Sequence, residues 1–468
     1  MRRFEAKPAV REIRAQINHP IVDADGHQIE FMPLVIEEID RLLGESGARH
    51  FVEFLSSVAD PNTDTHSRAR VFWGLPEENT LDRMTSTLPR LLYQRLDALG
   101  LDFALLYPTI GLTMMGCPEP ELRQASCRAL NNYNARVDHD YRDRLEPVAV
   151  IPCFSPEEAV AELDYAVGEL GLKTIVTSGV IPRSAEEGDH GRPWIDTLGH
   201  ASLYDYDPFW TRCRELGVVP AFHGLGYGWG TRVSPDNYVY NHLGSFGVAQ
   251  EAVCRSLIMG GVPQRFPDLH FAFLEGGTAW GCQLYADLLG HFEKRNKEAV
   301  QQFDPRRFDL DLCRELVAEF GDEVFKKRSQ DYFDGSAIMR GAPLDVKGID
   351  DFAESRIENA TEIKKIFEGR FHFGCEADDP MNALAFDRKL LPNGARLNAM
   401  FASDIGHWDV PDMTEVLPEA WELVEHDHLD RHEFADFTCF NAIRMLTSGN
   451  PGFFDGTAIE GVGPDREK

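Results

Sequence analysis

The sequence predicts a (β/α)8 barrel with insertions after strands 1 and 6 and extra helices near the C-terminus. Three observations carry this expectation. Eight short apolar, β-branched or aromatic runs recur along the chain. Helical patterns fall between them. Several runs are continuously apolar rather than alternating, as parallel strands buried on both faces require. A repeated strand-then-helix order builds a parallel sheet. At 468 residues the chain suits one large barrel that carries insertions.

The runs are Ile21–Asp25, Phe103–Pro108, Pro147–Pro152, Thr174–Val180, Val218–His223, Leu269–Glu275, Arg370–Glu376 and Asn398–Asp404. Between them, Pro120–Tyr141 places Leu122, Ala125, Ala129, Leu130, Tyr133 and Val137 at helical spacing. Ser155–Leu170 opens with Ser-Pro-Glu-Glu, an N-cap, a first-turn proline and acids near the helix N-terminus. Asp207–Leu216 opens with Asp-Pro, and Gly171 and Gly217 stand where C-terminal helix glycines belong. Two gaps are long. The first holds the polar stretch Ser56–Arg70; the second, Gly276–Gly369, holds the charge-rich Lys294–Arg307 and Lys326–Arg340. Loops after strands lie on the face where barrels do their chemistry. A lid over the site and a subunit contact are both open readings of these insertions. Pro411–Thr447 reads as helices outside the barrel. The expected division is an N-terminal arm 1–19, a barrel 20–447 and a Gly- and Asp-rich tail 448–468, an arm or partly mobile. No internal repeat or low-complexity tract is present.

Composition narrows the function. Hydrophobic residues make up 43%, enough for a sizeable core. Lys and Arg number 47 against 77 Asp and Glu, a net charge of −30. That balance argues against a nucleic-acid or anionic-membrane surface. The nine cysteines are an odd number without a CxxC pair, which disfavours a disulfide framework or cysteine-rich zinc site. They read as small buried hydrophobes, with Cys375, beside Glu376, as the one to watch. The N-terminal stretch has no apolar signal-peptide core, and no run approaches the ~20 apolar residues of a membrane span. A cytoplasmic enzyme of a small-molecule substrate is expected, in a homo- or hetero-oligomer.

Four strand ends carry the chemistry. Asp25-Gly26-His27, Phe222-His223-Gly224, Phe273-Leu274-Glu275-Gly276-Gly277 and Ser403-Asp404-Ile405-Gly406-His407 each close an apolar run with metal-competent side chains. Alternation along a strand puts Asp25 and His27 on one face. Singly, each residue has a bland reading: a hydrogen-bonded strand end, a core histidine, a helix cap. Together they meet at the carboxyl ends of strands 1, 5, 6 and 8, the catalytic face of a barrel. Burying several carboxylates side by side is costly unless a cation compensates them. The expected metal ligands are therefore Asp25, His27, His223, Glu275, Asp404 and His407.

On Val22-Asp23-Ala24-Asp25-Gly26-His27, Tyr206-Asp207-Pro208-Phe209-Trp210, Phe266-Pro267-Asp268-Leu269 and Ser403-Asp404-Ile405-Gly406-His407-Trp408-Asp409, the chain resembles the amidohydrolase superfamily. The resemblance is to the amidohydrolase-related branch of aminocarboxymuconate-semialdehyde decarboxylase and resorcylate decarboxylase-like enzymes, over about residues 20–447. That family has His-x-His on strand 1, His on strands 5 and 6, and Asp on strand 8. Here Asp25 and Glu275 replace two imidazoles. The harder, carboxylate-rich set exceeds what one four-coordinate zinc uses. It suits iron or manganese, or a bridged pair of ions, and leaves zinc open. Lys173 lies at the wrong end of strand 4 for the bridging carbamylated lysine of some branches and reads as solvated.

The resemblance implies metal-assisted hydrolysis or nonoxidative decarboxylation of a small organic acid or amide. Asp404 would ligate metal and move protons; His223 and His407 would orient substrate or shuttle protons. The carboxylate-rich set admits an alternative, a dinuclear iron or manganese–iron oxygenase on the same fold. A silent barrel partnering an active paralogue is a third reading. Weaker candidates are Glu30, Glu376, Asp378 and Asp379, with loop or cap readings, and Tyr227 and Trp229, a possible substrate wall. His139 reads as structural.

Overall fold

The computed structural model describes residues 4–59, 78–188, 190–226, 228–234, 236–334 and 349–464. All eight expected strands form: β1 Val22–Gln28, β2 Phe103–Pro108, β3 Leu145–Val150, β4 Thr174–Thr177, β5 Pro220–Phe222, β6 Phe271–Phe273, β7 Phe371–Glu376 and β8 Asn398–Ala402. They lie side by side in chain order, every neighbouring pair parallel. The sheet curls until its last strand meets its first. There the Asp404 amide donates to the Asp25 carbonyl (3.0 Å) and the His27 amide to the Ile405 carbonyl (2.9 Å). The expected (β/α)8 barrel is thus the observed fold.

Side-chain alternation explains the continuous apolar runs. On β2, Phe103, Leu105 and Tyr107 join an inner cluster with Val148, Val176, Ala221, Ala272 and Met400. Ala104 and Leu106 join an outer layer with Ile175, Phe222, Phe273 and Phe373, packed under the helices. Both faces of each strand are dry, so polar residues within them are few and buried, Asp23 and Asp25 on β1 among them. Of the segment read as a tail, Phe453, Phe454 and Ile459 are buried in the inner cluster. Lys173 is half-buried rather than solvated; its Nζ donates to the Phe453 carbonyl at 2.7 Å.

The expected helices form with small changes. Ser155 caps Pro156–Leu163 by accepting from the Glu158 amide, and the helix continues as a wider π turn, Asp164–Glu169. Pro120–Val137 ends before a separate turn, His139–Tyr141, and His139 is exposed there beside Asp140. Gly171 and Gly217 hold left-handed backbone, with φ of 68° and 69°. A hairpin of 181–183 with 194–196, after β4, was not expected from the sequence pattern. The insertion after β6 includes two helices, Leu310–Phe320 and Glu323–Phe333. No described helix is long and apolar enough to cross a membrane.

Candidate metal centre

The barrel seam builds the site. Strand β1 carries a bulge between Asp23 and Gly26 in its pairing with β2. An extra residue there re-aims the following side chains. Asp23, fully buried, accepts from the amides of Asp25 (3.2 Å) and Ser403 (2.9 Å) and from the Ser403 hydroxyl. It ties β1 to the end of β8 from beneath. Glu275 and Asp404 each lie two residues beyond their strands and take left-handed backbone, with φ of 55° and 50°. Such backbone costs about 1–3 kcal/mol in a non-glycine residue and clusters at functional sites. Gly406 (φ 107°) then turns the chain tightly enough to return His407 to the mouth; a Cβ there would stand 2.8 Å from the His27 carbonyl oxygen.

The six expected residues meet. Nε2 of His27 lies 3.3 Å from Asp404 Oδ1, 3.6 Å from Asp25 Oδ1, 3.9 Å from Glu275 Oε2 and 3.3 Å from His223 Nε2. Nε2 of His223 is 2.8 Å from Glu275 Oε2, and Nδ1 of His407 is 2.7 Å from Asp404 Oδ1. The His407 ring stacks on that of His27 at 3.9 Å, while the Thr109 hydroxyl meets His407 Nε2 at 3.2 Å. Two overlapping groups result: His27, Glu275, Asp404 and His407, and Asp25, His27 and His223.

Their chemistry fits a cation. Asp25 Oδ1 and Glu275 Oε2 are buried and face imidazole nitrogens, yet make no hydrogen bond of acceptable geometry. Donors about 2.1 Å from one ion stand roughly 3.0–3.4 Å apart, close to the observed spacings. Electrostatics agree. Burial foremost, with Glu275 and Asp23 adding to it against an opposing pull from His223, holds the Asp25 carboxyl well above its usual range. Burial and then Asp409 do so for Glu275; burial, Glu275 and Asp409 do so for Asp404. Burial lowers all three imidazoles, His407 to about 3. A divalent cation would reverse the carboxylate penalty directly.

Several neighbours had a bland sequence reading or none. Glu376, at the end of β7, is pushed up to about 8 by burial and then by Asp409 and Glu275. Asp409 stands against Asp404, carboxyl to carboxyl. Tyr107 floors the site, 6.0 Å from both the His27 and His223 rings. Above it, Phe246 meets the His223 ring edge-on at 5.4 Å, and Tyr238, His242 and Trp408 form a mutual aromatic cluster. This wall replaces the expected one: Trp229 packs against the hydrophobic core, and Tyr227 lies outside the described residues. Trp408 and Asp409 were visible beside His407 in the terminal motif. Glu376 stood among the weaker candidates as a loop or cap acid; Tyr107, Tyr238, His242 and Phe246 gave no sequence signal.

The remaining candidates are structural. Glu30 accepts from the Ile110 and Gly111 amides. Asp379 caps a short helix through the Met381 amide. Cys375 is buried, its thiol donating to the Phe373 carbonyl.

A family model described as amidohydrolase matches residues 118–323. No curated protein sequence matches the chain. Among solved structures, an amidohydrolase from Mycobacterium avium subsp. paratuberculosis aligns with a TM-score of 0.51 at 16% identity, covering 92% of this chain and 100% of that one. A 2,6-dihydroxybenzoate decarboxylase holding 2,6-dihydroxybenzoate aligns at 0.51 and 13%, covering 92% and 100%. A dihydroxybenzoic acid decarboxylase from Polaromonas sp. JS666, with bound manganese and 2-nitroresorcinol, aligns at 0.50 and 12%, covering 92% and 97%.

Proposed function

With the amidohydrolase resemblance borne out by the family match and the shared barrel, we propose that this chain is a metal-dependent decarboxylase of a planar aromatic or unsaturated acid. One observation carries the reading: three carboxylates and three imidazoles from four strand ends converge within contact distance below an aromatic wall. The ligands proposed are Asp25, His27, His223, Glu275, Asp404 and His407. Both groups of donors use the same His27 Nε2. One imidazole lone pair serves one ion, so the proposed stoichiometry is one ion per chain. The decarboxylase structures, one with manganese, support a hard divalent ion.

A bound ion would supply positive charge that holds the substrate carboxylate and a neighbouring oxygen and offsets the charge left as carbon dioxide departs. The chain does the rest. Phe246, Tyr238 and Trp408 present aromatic faces that hold a flat substrate and exclude water. His407 and His223 stay neutral in their buried setting and orient oxygens rather than carry charge. With one Asp404 oxygen on the ion, its second oxygen and the Asp409 carboxyl against it would relay a proton from water to the substrate carbon as its bond to the carboxylate breaks. Hydrolysis is the second reading, favoured by the family match itself, with Asp404 taking a proton from water. Neither the family match nor the solved structures favour the oxygenase alternative.

Elemental analysis with a substrate panel tests the proposal. About one divalent ion per chain and carbon dioxide release from a hydroxybenzoate, lost in Asp404→Asn, are expected. Amine or alcohol release without carbon dioxide would install hydrolysis instead. Two ions per chain with oxygen uptake would overturn both readings.

A further inference from the structure

The insertion after β6 leaves the body of the protein at a pinned base. Arg295 pairs with Asp351 at 2.6 Å, and Phe292 packs edge-on against Phe352 at 5.1 Å. Between those points stand the helices Leu310–Phe320 and Glu323–Phe333, joined through the short turn at Gly321 and Asp322 and packed on each other, with Arg314 over the Phe333 ring. Neither helix buries a single described side chain. Helices of this length are marginal alone and owe their stability to an apolar face packed on something.

That face is apolar and open. Leu312, Leu316 and Phe320 stand at i, i+4 and i+8 and are 49%, 46% and 73% exposed. Val324 and Phe325 follow the turn at 73% and 67% exposed, and Phe303 and Phe308 precede the hairpin at 60% and 46%. These seven side chains expose roughly 750 Å², taking about 200 Å² for a free phenylalanine. The largest apolar patch on an ordinary monomer is about 300–600 Å². A standard interface buries about 800 Å² per partner.

We propose that this helical hairpin is a self-association surface and that its occupant is the same hairpin of a second copy, the two forming an intermolecular four-helix bundle. Charge selects that occupant. The chain carries −30, so two copies repel almost everywhere. Residues 294–334, however, hold nine Lys and Arg against ten Asp and Glu. Here the repulsion fades. The two helices also differ in sign: Asp311, Glu315 and Glu319 outweigh Arg314 on the first, and Lys326, Lys327 and Arg328 outweigh Glu323 and Asp331 on the second. A two-fold axis sets the acidic helix of each copy against the basic helix of the other, the self-complementarity a symmetric dimer needs.

Sedimentation of the full chain over a micromolar concentration range tests this. The wild type should behave as a dimer. The double variant Leu316→Glu/Phe320→Glu should weaken association by about 100-fold or more, with the barrel's cooperative unfolding transition retained and no more helicity lost than the hairpin itself holds, since both residues are exposed. Lys326→Glu/Lys327→Glu should weaken it more at low salt than at high salt. A wild type that stays monomeric overturns the proposal. So does a dimer that both variants leave intact, which would place the interface elsewhere. A monomer whose hairpin amides resist hydrogen exchange also overturns it, by showing that the face is covered from within its own chain.

Discussion

Replacing Glu376 by glutamine in the metal-free protein should make it more stable at pH 8 while leaving it nearly unchanged at pH 5. The Glu376 carboxyl is held up to about 8, from an ordinary 4.5, by burial and then by Asp409 and Glu275. Its proton is therefore kept in the folded state and lost in the unfolded state between those values. Because the folded state binds more protons there, stability falls as pH rises. Each unit of that interval is worth about 1.4 kcal/mol. From pH 5 to pH 8 this one group removes about 3–4 kcal/mol from the folded state. Glutamine, which does not titrate, should abolish that share of the slope. Urea unfolding of chelator-treated wild type and Glu376→Gln at pH 5, 6.5 and 8 measures it. Parallel stability–pH curves, or a variant less stable than wild type at pH 8, would refute the reasoning.

Three further outcomes follow from the same geometry. Removing the ion with a chelator should lower the melting temperature, and manganese at about 100 times its dissociation constant should restore about 2.7 kcal/mol; no response to any divalent ion counts against the centre. Asp23→Ala should cost about 2–4 kcal/mol in urea unfolding, because two buried amides and the Ser403 hydroxyl lose their acceptor. Asp23→Asn, which keeps an oxygen for both amides, should cost less than half as much. Lys173→Met should retain turnover in a carbon dioxide release assay while losing stability, since its ammonium braces the Phe453 carbonyl rather than the site.

The site's donors were legible because a buried parallel strand is apolar on both faces, so a polar residue within it or at its end is conspicuous. Asp25, His27, His223, Glu275, Asp404 and His407 each stand out against an apolar run, and the barrel expectation brings them together. The bulge in β1 was not legible: Asp25 and His27 read as partners by strict alternation, whereas the pairing with β2 slips between Asp23 and Gly26. Glu376 read as a loop or cap acid, and Asp409 only as the last residue of the terminal motif. Their importance lies in which carboxylates face them across the mouth, a relation between strands that no single segment encodes. Tyr107 hides inside an apolar run, where only inward orientation distinguishes it. The aromatic wall went to Tyr238, His242, Phe246 and Trp408 because the chain after His223 continues past the Gly-rich stretch before returning over the mouth.

The seam between β1 and β8 has a consequence for how the molecule comes into being. Asp23, Asp25 and His27 belong to the first strand made; Ser403, Asp404 and His407 follow the last. The same contacts that close the cylinder, from Asp404 to Asp25 and from His27 to Ile405, bring the two halves of the centre face to face. Until nearly the whole chain has been synthesised there is no pocket for an ion, only a few scattered side chains. Closure of so long a loop is slow, and the acids it gathers oppose it. A divalent ion present at that moment would act as a clasp, drawing the ends of the chain together as the enzyme acquires its reactive centre. Maturation and activation would then be one event.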